Sequence, residues 1–372
     1  MPSIYDNLTF EQIISSAPRT SIQISDYHNI LCPPSDRPPF LQRYINLPAL
    51  QRLAGIGLLC GSDWTKLFHN RLYYSRLDHS VGVALIVWHF THNKAQTIAG
   101  LLHDISTPTF SHVSDFRKGD ALTQTSTEGP TASIIRSDTT LQSLLAADNL
   151  TSAQVEDYHL YPVADNEIPQ LSADRLEYMF PSGIALEGSW NLLDIERCYG
   201  DLAVLKNESD EPELGFNTIE IAEEYCRRFC MTGHILQMNE DKLMLHMLGQ
   251  IMNIAVENGI LTEQDFMTKS ESQIIQILDT SLSASSHESS SSLARLYHTF
   301  RTMTHIERSD HALPADQYFC VNLKVKQRYI NPLVKTPQGK TARLYDVSPV
   351  AHGIIEDFKG YKDAPYGCVK LV

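Results

Sequence analysis

The sequence predicts a mainly α-helical molecule with a small α+β lobe at its C-terminal end. From Phe40 onward the apolar residues recur at helical spacing, with Leu47, Leu50, Leu53 and Ala54 on one face. Val81 to Phe90 is apolar nearly all round, as in a buried helix. Beyond Asp316 the pattern changes, since Tyr318-Phe-Cys-Val-Asn-Leu-Lys-Val-Lys326 alternates in part, as a strand does.

In chain order, residues 1–39 carry turn and extended signals that end in Cys32-Pro-Pro-Ser-Asp-Arg-Pro-Pro39, which cannot continue a helix, and read as an N-terminal arm. A helical core is expected over 40–280. Within it Ala95 to His103 forms a short helix that Thr107-Pro-Thr109 interrupts, because proline has no amide hydrogen and clashes with the preceding turn. His103 and Asp104 are therefore placed near a helix end. Further helices are predicted at Thr131–Ala147, Ser172–Phe180, Asn191–Leu205, Thr218–Gly233, Asp241–Asn258 and Ser272–Leu282, separated by Gly, Pro and acidic loops. Residues 281–315 read as a serine-rich linker followed by a helical segment. In the lobe at 316–372, Thr341 to Val347 is expected to pair with the Tyr318 strand around the turn Thr336-Pro-Gln-Gly339. No internal repeat is present.

Composition narrows the function. With 42% hydrophobic residues among 372, the chain can bury a substantial core. Its 30 basic and 44 acidic side chains leave a formal charge of −14, which argues against a nucleic-acid binder working by bulk electrostatics. Seven scattered cysteines without a C-x-x-C pair indicate neither a disulfide framework nor a zinc knuckle, and fit a reducing cytoplasm. Cys226 and Cys230, four apart on a predicted helix, read as packed core residues. No window approaches the roughly 18 apolar residues that a membrane span needs.

Three segments carry chemistry: Arg76-Leu-Asp-His79-Ser-Val-Gly82, Leu101-Leu-His103-Asp104-Ile105 and Ser172-Ala-Asp174-Arg-Leu-Glu-Tyr178. Two imidazoles and two carboxylates suit a hard or borderline divalent metal that keeps positions open for water and a phosphate oxygen. The absence of thiolates leaves Fe, Mn, Ni, Zn or Mg as the cofactor. Adjacent helical residues diverge by about 100°, so His103 and Asp104 share an ion only if other elements bring further ligands, here His79 and Asp174.

The ordered H…HD…D pattern, with the flanks Gln51-Arg-Leu53, Arg76 with Ser80-Val-Gly-Val83, Phe110-Ser-His112 and Asp174-Arg-Leu-Glu-Tyr178, resembles the HD superfamily over Phe40 to Pro181. Within it the chain is similar to the dNTP triphosphohydrolases, which include bacterial dGTPases and the animal sterile-alpha-motif HD enzyme. Arg328-Tyr-Ile-Asn-Pro332 looks like the C-terminal segment of such enzymes. The resemblance implies an HD-domain helical core, metal ligation by His79, His103, Asp104 and Asp174, phosphate contact by Arg76 and Arg175, and Tyr178 near a sugar. It also implies a homo-oligomer, most simply a dimer.

The pattern breaks at three places. The family's H-D-x-x-H-x-P-F-S-H becomes His103-Asp-Ile-Ser-Thr107-Pro-Thr-Phe-Ser-His112, so Thr107 replaces a pocket histidine. Thr127-Glu128 stands where the family has a catalytic His-Glu pair, and Leu58 where it has a glutamine that reads the sugar 3′-hydroxyl. A threonine does not titrate near neutral pH, so protonation of a leaving group falls to His112 first, then Glu128, Asp115 or a metal-bound water, and Asp104 counts with His112 and Glu128 as a catalytic candidate. Asp115 also counts among the candidate substrate contacts. The expected function is a metal-dependent phosphohydrolase acting on a small nucleotide or related phosphate ester, away from membranes. The alternatives are a non-catalytic metal- and nucleotide-binding sensor or partner protein, and a scaffold stapled by the metal.

Overall fold

The computed structural model describes Phe10 and residues 20–122, 130–283 and 292–372. It is mainly α with a small C-terminal α+β part. Turn and extended signals gave no warning of helix α1, Ile24–Leu31, whose Tyr27 and Leu31 are buried in the core. Helix α2 spans Arg76–Thr91 and α3 spans Lys94–Leu102. A capping box starts α2: the Ser75 hydroxyl accepts from the Asp78 amide, and the Asp78 carboxylate accepts from the Ser75 amide. His92 in the left-handed region ends it, Asn93 caps α3 through the Gln96 amide, and the two helices pack as an antiparallel hairpin. Gly100 lets them close, since a Cβ there would lie 3.3 Å from Val83.

The predicted single helix 131–147 is two, α4 at Thr131–Ser137 and α5 at Thr139–Ala147. Asp138 is extended and its side chain caps the second helix at the Leu141 amide, a local bond that competes with helix continuation. Helix α6, Ala173–Ala185, runs through Pro181 instead of stopping before it. Proline cannot donate to the Glu177 carbonyl, and the Tyr27 hydroxyl of α1 donates to that carbonyl instead.

The predicted helix 191–205 is also corrected: α7 is Leu192–Gly200, and Leu202–Lys206 is strand β1, paired antiparallel with β2 at Pro212–Phe216. Helices α8, Ile219–Ile235, and α9, Asn239–Glu257, follow, then α10 at Glu271–Ser283 and α11 at Ser292–Thr302. Most of the serine-rich stretch lies outside the described residues. Beyond it come β3 (Glu307–Ser309), β4 (Tyr318–Val321), β5 (Leu333–Lys335), β6 (Thr341–Arg343), α12 (Pro349–Gly360) and β7 (Tyr366–Lys370).

The expected pairing of the Tyr318 strand with 341–347 does not form. The turn at 336–339 closes β5 on β6, these join β1 and β2 in the order β1-β2-β5-β6, and Leu344–Val347 is a helical turn. Strand β4 pairs with β7 in a second sheet, β3-β7-β4, where Cys320 lies opposite Cys368 and is disulfide-bonded to it. That bond corrects the reading of all seven cysteines as unbridged; Cys226 and Cys230 are free and buried.

Two apolar cores result. One gathers α1, α2, α3, α6, α7, α8 and α12, the other α9, α10, α11 and residues Phe110 to Phe116. The segment after β4 carries no regular structure and runs between them. No helix among the described residues is long and apolar enough to cross a membrane.

Candidate metal centre

Three helices deliver the chemical residues to one point. His79 lies one turn into α2, His103 caps the C-terminal end of α3 with Asp104 next to it, and Asp174 occupies the first turn of α6 after the N-cap Ser172. His79 Nε2 is 3.2 Å from His103 Nε2, 3.0 Å from Asp174 Oδ1 and 3.9 Å from Asp104 Oδ2. His103 Nε2 is 3.6 Å from Asp104 Oδ2 and 3.8 Å from Asp174 Oδ1.

The tautomers explain why this convergence is unusual. His79 Nδ1 meets Glu177 Oε2 at 2.5 Å and His103 Nδ1 meets the Gly100 carbonyl at 2.7 Å. Both acceptors require the proton on Nδ1, so neutral rings turn two Nε2 lone pairs toward each other and toward two carboxylate oxygens. Such a set calls for a cation. Ligands about 2.1 Å from one ion lie about 3 Å apart at right angles and about 4 Å apart across it, the range that the His79, His103 and Asp104 donor atoms span with one another and that Asp174 keeps to both imidazoles. The donor set thus fits a divalent metal. Without one, burial opposes charging of His79, but its bonds to Asp174 and Glu177 prevail and push it up to about 10. Asp104 is held far below the usual carboxylate range despite its burial, by Arg76, His103 and His79.

The surrounding contacts fix the ligands. Arg76 Nη1 donates to Asp104 Oδ2 at 2.8 Å and its Nε to Ser111 Oγ at 3.0 Å, while Thr107 donates to Asp104 Oδ1 at 2.8 Å. Phe110 and Ser111 both sit at positive φ, so the backbone is strained where it presents that hydroxyl. Thr107 therefore orients a carboxylate and supplies no titratable ring.

Glu177 was missed as a positioning residue. It is fully buried and bonds His79 and, at 2.6 Å, the Tyr74 hydroxyl. Its signal was spacing, since it follows Asp174 by one turn of α6. Gly82 admits it, because a Cβ there would collide with the Glu177 carboxylate.

The other candidates divide. His79, His103, Asp104, Asp174, Arg76, Arg175, Tyr178 and His112 all line one cavity of about 250 Å³. Asp115 does not face it: fully buried, it accepts from His112 Nδ1 at 2.9 Å. Burial lowers the His112 pKa. Arg175 has its guanidinium committed to Asn166, the Gln170 carbonyl and Asp165. Glu128 and Thr127 lie outside the described residues. Lys326 and Arg328, from the segment after β4, line the same cavity.

No family model matches the chain. Over 242 residues it is 25% identical to the metal-dependent phosphohydrolase cns2 of the fungus Cordyceps militaris, an alignment covering 64% of this chain and 68% of that protein. Two solved structures share the fold. A hypothetical protein from Aquifex aeolicus superposes with a TM-score of 0.60 at 13% identity, covering 90% of this chain and 93% of the other. A phosphohydrolase from Bacteroides thetaiotaomicron does so with a TM-score of 0.54 at 14% identity, covering 90% and 96%.

Proposed function

We propose that the chain is a metal-dependent phosphohydrolase of the HD type, acting on a nucleotide or related phosphate ester. The observation that carries the reading is the convergence of two Nε2 lone pairs and two carboxylates in a cavity with room for a small ligand. The similarity to a fungal metal-dependent phosphohydrolase supports it.

His79, His103, Asp104 and Asp174 would hold one divalent ion, which when bound supplies Lewis-acid polarisation and activation of a nucleophile. Arg76, anchored on Asp104 and Ser111, keeps a guanidinium beside the ion, where a phosphoryl oxygen gains charge. His112 bears its proton on Nδ1 toward Asp115, so its Nε2 is a base in the neutral ring and accepts a proton during attack. Arg328, which lines the cavity with Arg175, adds a second guanidinium for the phosphate, while the Arg175 guanidinium is held by the 165–172 loop. Tyr178 flanks the ester.

The test is metal analysis of the purified protein, followed by turnover of nucleotides, nucleoside monophosphates and a phosphodiester with Mn, Fe, Ni, Zn or Mg. Phosphate release that requires metal and disappears in His103→Ala and Asp104→Ala is expected. Stoichiometric metal and nucleotide binding without turnover would favour the sensor reading that Thr107 raises, and absence of metal binding would overturn both.

A further inference from the structure

Part of the cavity lining is not used by the metal chemistry. There the C-terminal end of α8 leads into α9, and Gln237 and Asp241, four residues apart, both face the cavity. Gln237 Nε2 donates to the Lys326 carbonyl at 3.0 Å, which leaves its Oε1 as an acceptor. Neither that oxygen nor the Asp241 carboxylate takes a hydrogen bond from any described residue. Arg328 and Lys242 act on Asp241 only electrostatically, and burial lifts it to about 7.

Both side chains are part-exposed where they face the cavity, so the two acceptors are open to a ligand that supplies donors. The neighbouring walls are apolar and partly aromatic, with Leu59, Phe68, Phe116 and Leu245. Flat apolar walls with acceptors at one edge match a planar ring that carries donors at its rim. A hydroxyl offers one hydrogen, whereas an amino group offers two and satisfies both acceptors at once.

We infer that Asp241 and Gln237 determine specificity by accepting hydrogen bonds from the ring amino group of a heterocyclic phosphate ester. This rests on the hydrolase reading for the phosphate ester, but the acceptor pair belongs to the junction of α8 and α9 and not to the helices that carry the expected metal ligands. Among nucleobases the rule admits adenine, cytosine and guanine, which carry an amino group, and the adenine and cytosine amino groups become carbonyl acceptors in hypoxanthine and uracil.

The experiment compares adenosine with inosine 5′-monophosphate and cytidine with uridine 5′-monophosphate on the Mn-loaded protein, as kcat/KM ratios. The amino member of at least one pair is expected to be favoured by about tenfold or more, since a site built for an N–H donor rejects an analogue lacking it. Asp241→Asn can donate to a carbonyl, so it should collapse that ratio by about tenfold or invert it, and Gln237→Met should lower it in the same direction. A wild-type protein indifferent within both pairs, or variants that lose both members equally, would overturn the inference. If no ester is turned over, the hydrolase reading fails, and dissociation constants of the same four ligands for wild type and both variants then decide this inference by the same ratios. Should Asp241→Asn fail to fold, the Gln237→Met ratio alone decides it.

Discussion

Individual residues carry the site through what stands behind them. Glu177 touches no open space, yet its bond to His79 Nδ1 decides which ring nitrogen faces the cluster. Glu177→Gln keeps the volume but can present an N–H to Nδ1, favouring the wrong tautomer. We expect it to weaken divalent metal binding by about 10- to 100-fold, the usual cost of losing such a partner, as read by chelator competition. Unchanged affinity would mean that the carboxylate only fills space. Gly82→Ala approaches the same point sterically: the added carbon occupies the space of Glu177 Oε1, so the carboxylate must retreat. A loss of about 1–3 kcal/mol in stability is expected in denaturant titration, with weakened metal binding alongside. The four residues that converge were legible because their chemistry is in the side chains themselves, in order along the chain. Glu177 and Gly82 were not, because their roles come from what lies across from them in space.

At the scale of elements, α6 illustrates what a linear reading loses. A stop before Pro181 followed from local rules, but the Glu177 carbonyl that proline leaves without a donor receives the Tyr27 hydroxyl from α1, which is distant in sequence. Tyr27→Phe should therefore cost about 1 kcal/mol in urea unfolding. The helix 191–205 failed for a similar reason, since Leu202–Lys206 has its strand identity from pairing with β2. Long periodic helices such as α2 and α9 were readable, as their apolar faces are set by their own sequence. The seam between α6 and α8 makes a pH prediction. Glu187, buried against Thr232 and Ser189, is raised by burial to about 7, and its Oε2 has no partner among the described residues. A carboxyl whose pKa is higher in the folded state favours folding when protonated. Its contribution is thus complete below about pH 4.5 and lost as pH rises toward 7, a change of roughly 3 kcal/mol. Glu187→Gln should flatten the fall in stability between pH 5 and 8, leaving the slope due to Glu271 and Asp241, also raised to about 7. An unaltered slope would show that Glu187 stays ionised in the fold.

At the scale of the whole molecule, both apolar cores contribute residues to the cavity that the His-Asp cluster lines, and chain segments far apart in sequence are tied around it. The loop before Asp174 is held from the C-terminal part: the Asn331 amide donates to the Pro169 carbonyl, and Glu213 accepts from both the Leu171 amide and Arg343. The Cys320–Cys368 bond joins residues 48 apart, and the loop it closes contains the segment delivering Lys326 and Arg328 to the cavity. On loop length alone, oxidised protein should exceed Cys320→Ser by about 4 kcal/mol, measured as the difference in unfolding free energy. Metal removal acts on the same assembly from the other side. A native state with four converging donors binds the ion far better than an unfolded chain does, so saturation at about 100 times the dissociation constant adds about 2.7 kcal/mol. Stripping the metal with a chelator should lower the thermal midpoint, and re-addition should restore it in proportion to the logarithm of free metal. His103→Ala should abolish that dependence while Cys320→Ser keeps it, because the imidazole belongs to the cluster and the disulfide to the lobe that borders it. A midpoint that ignores metal in the wild-type protein would show that these four donors do not form a site that binds in the folded state.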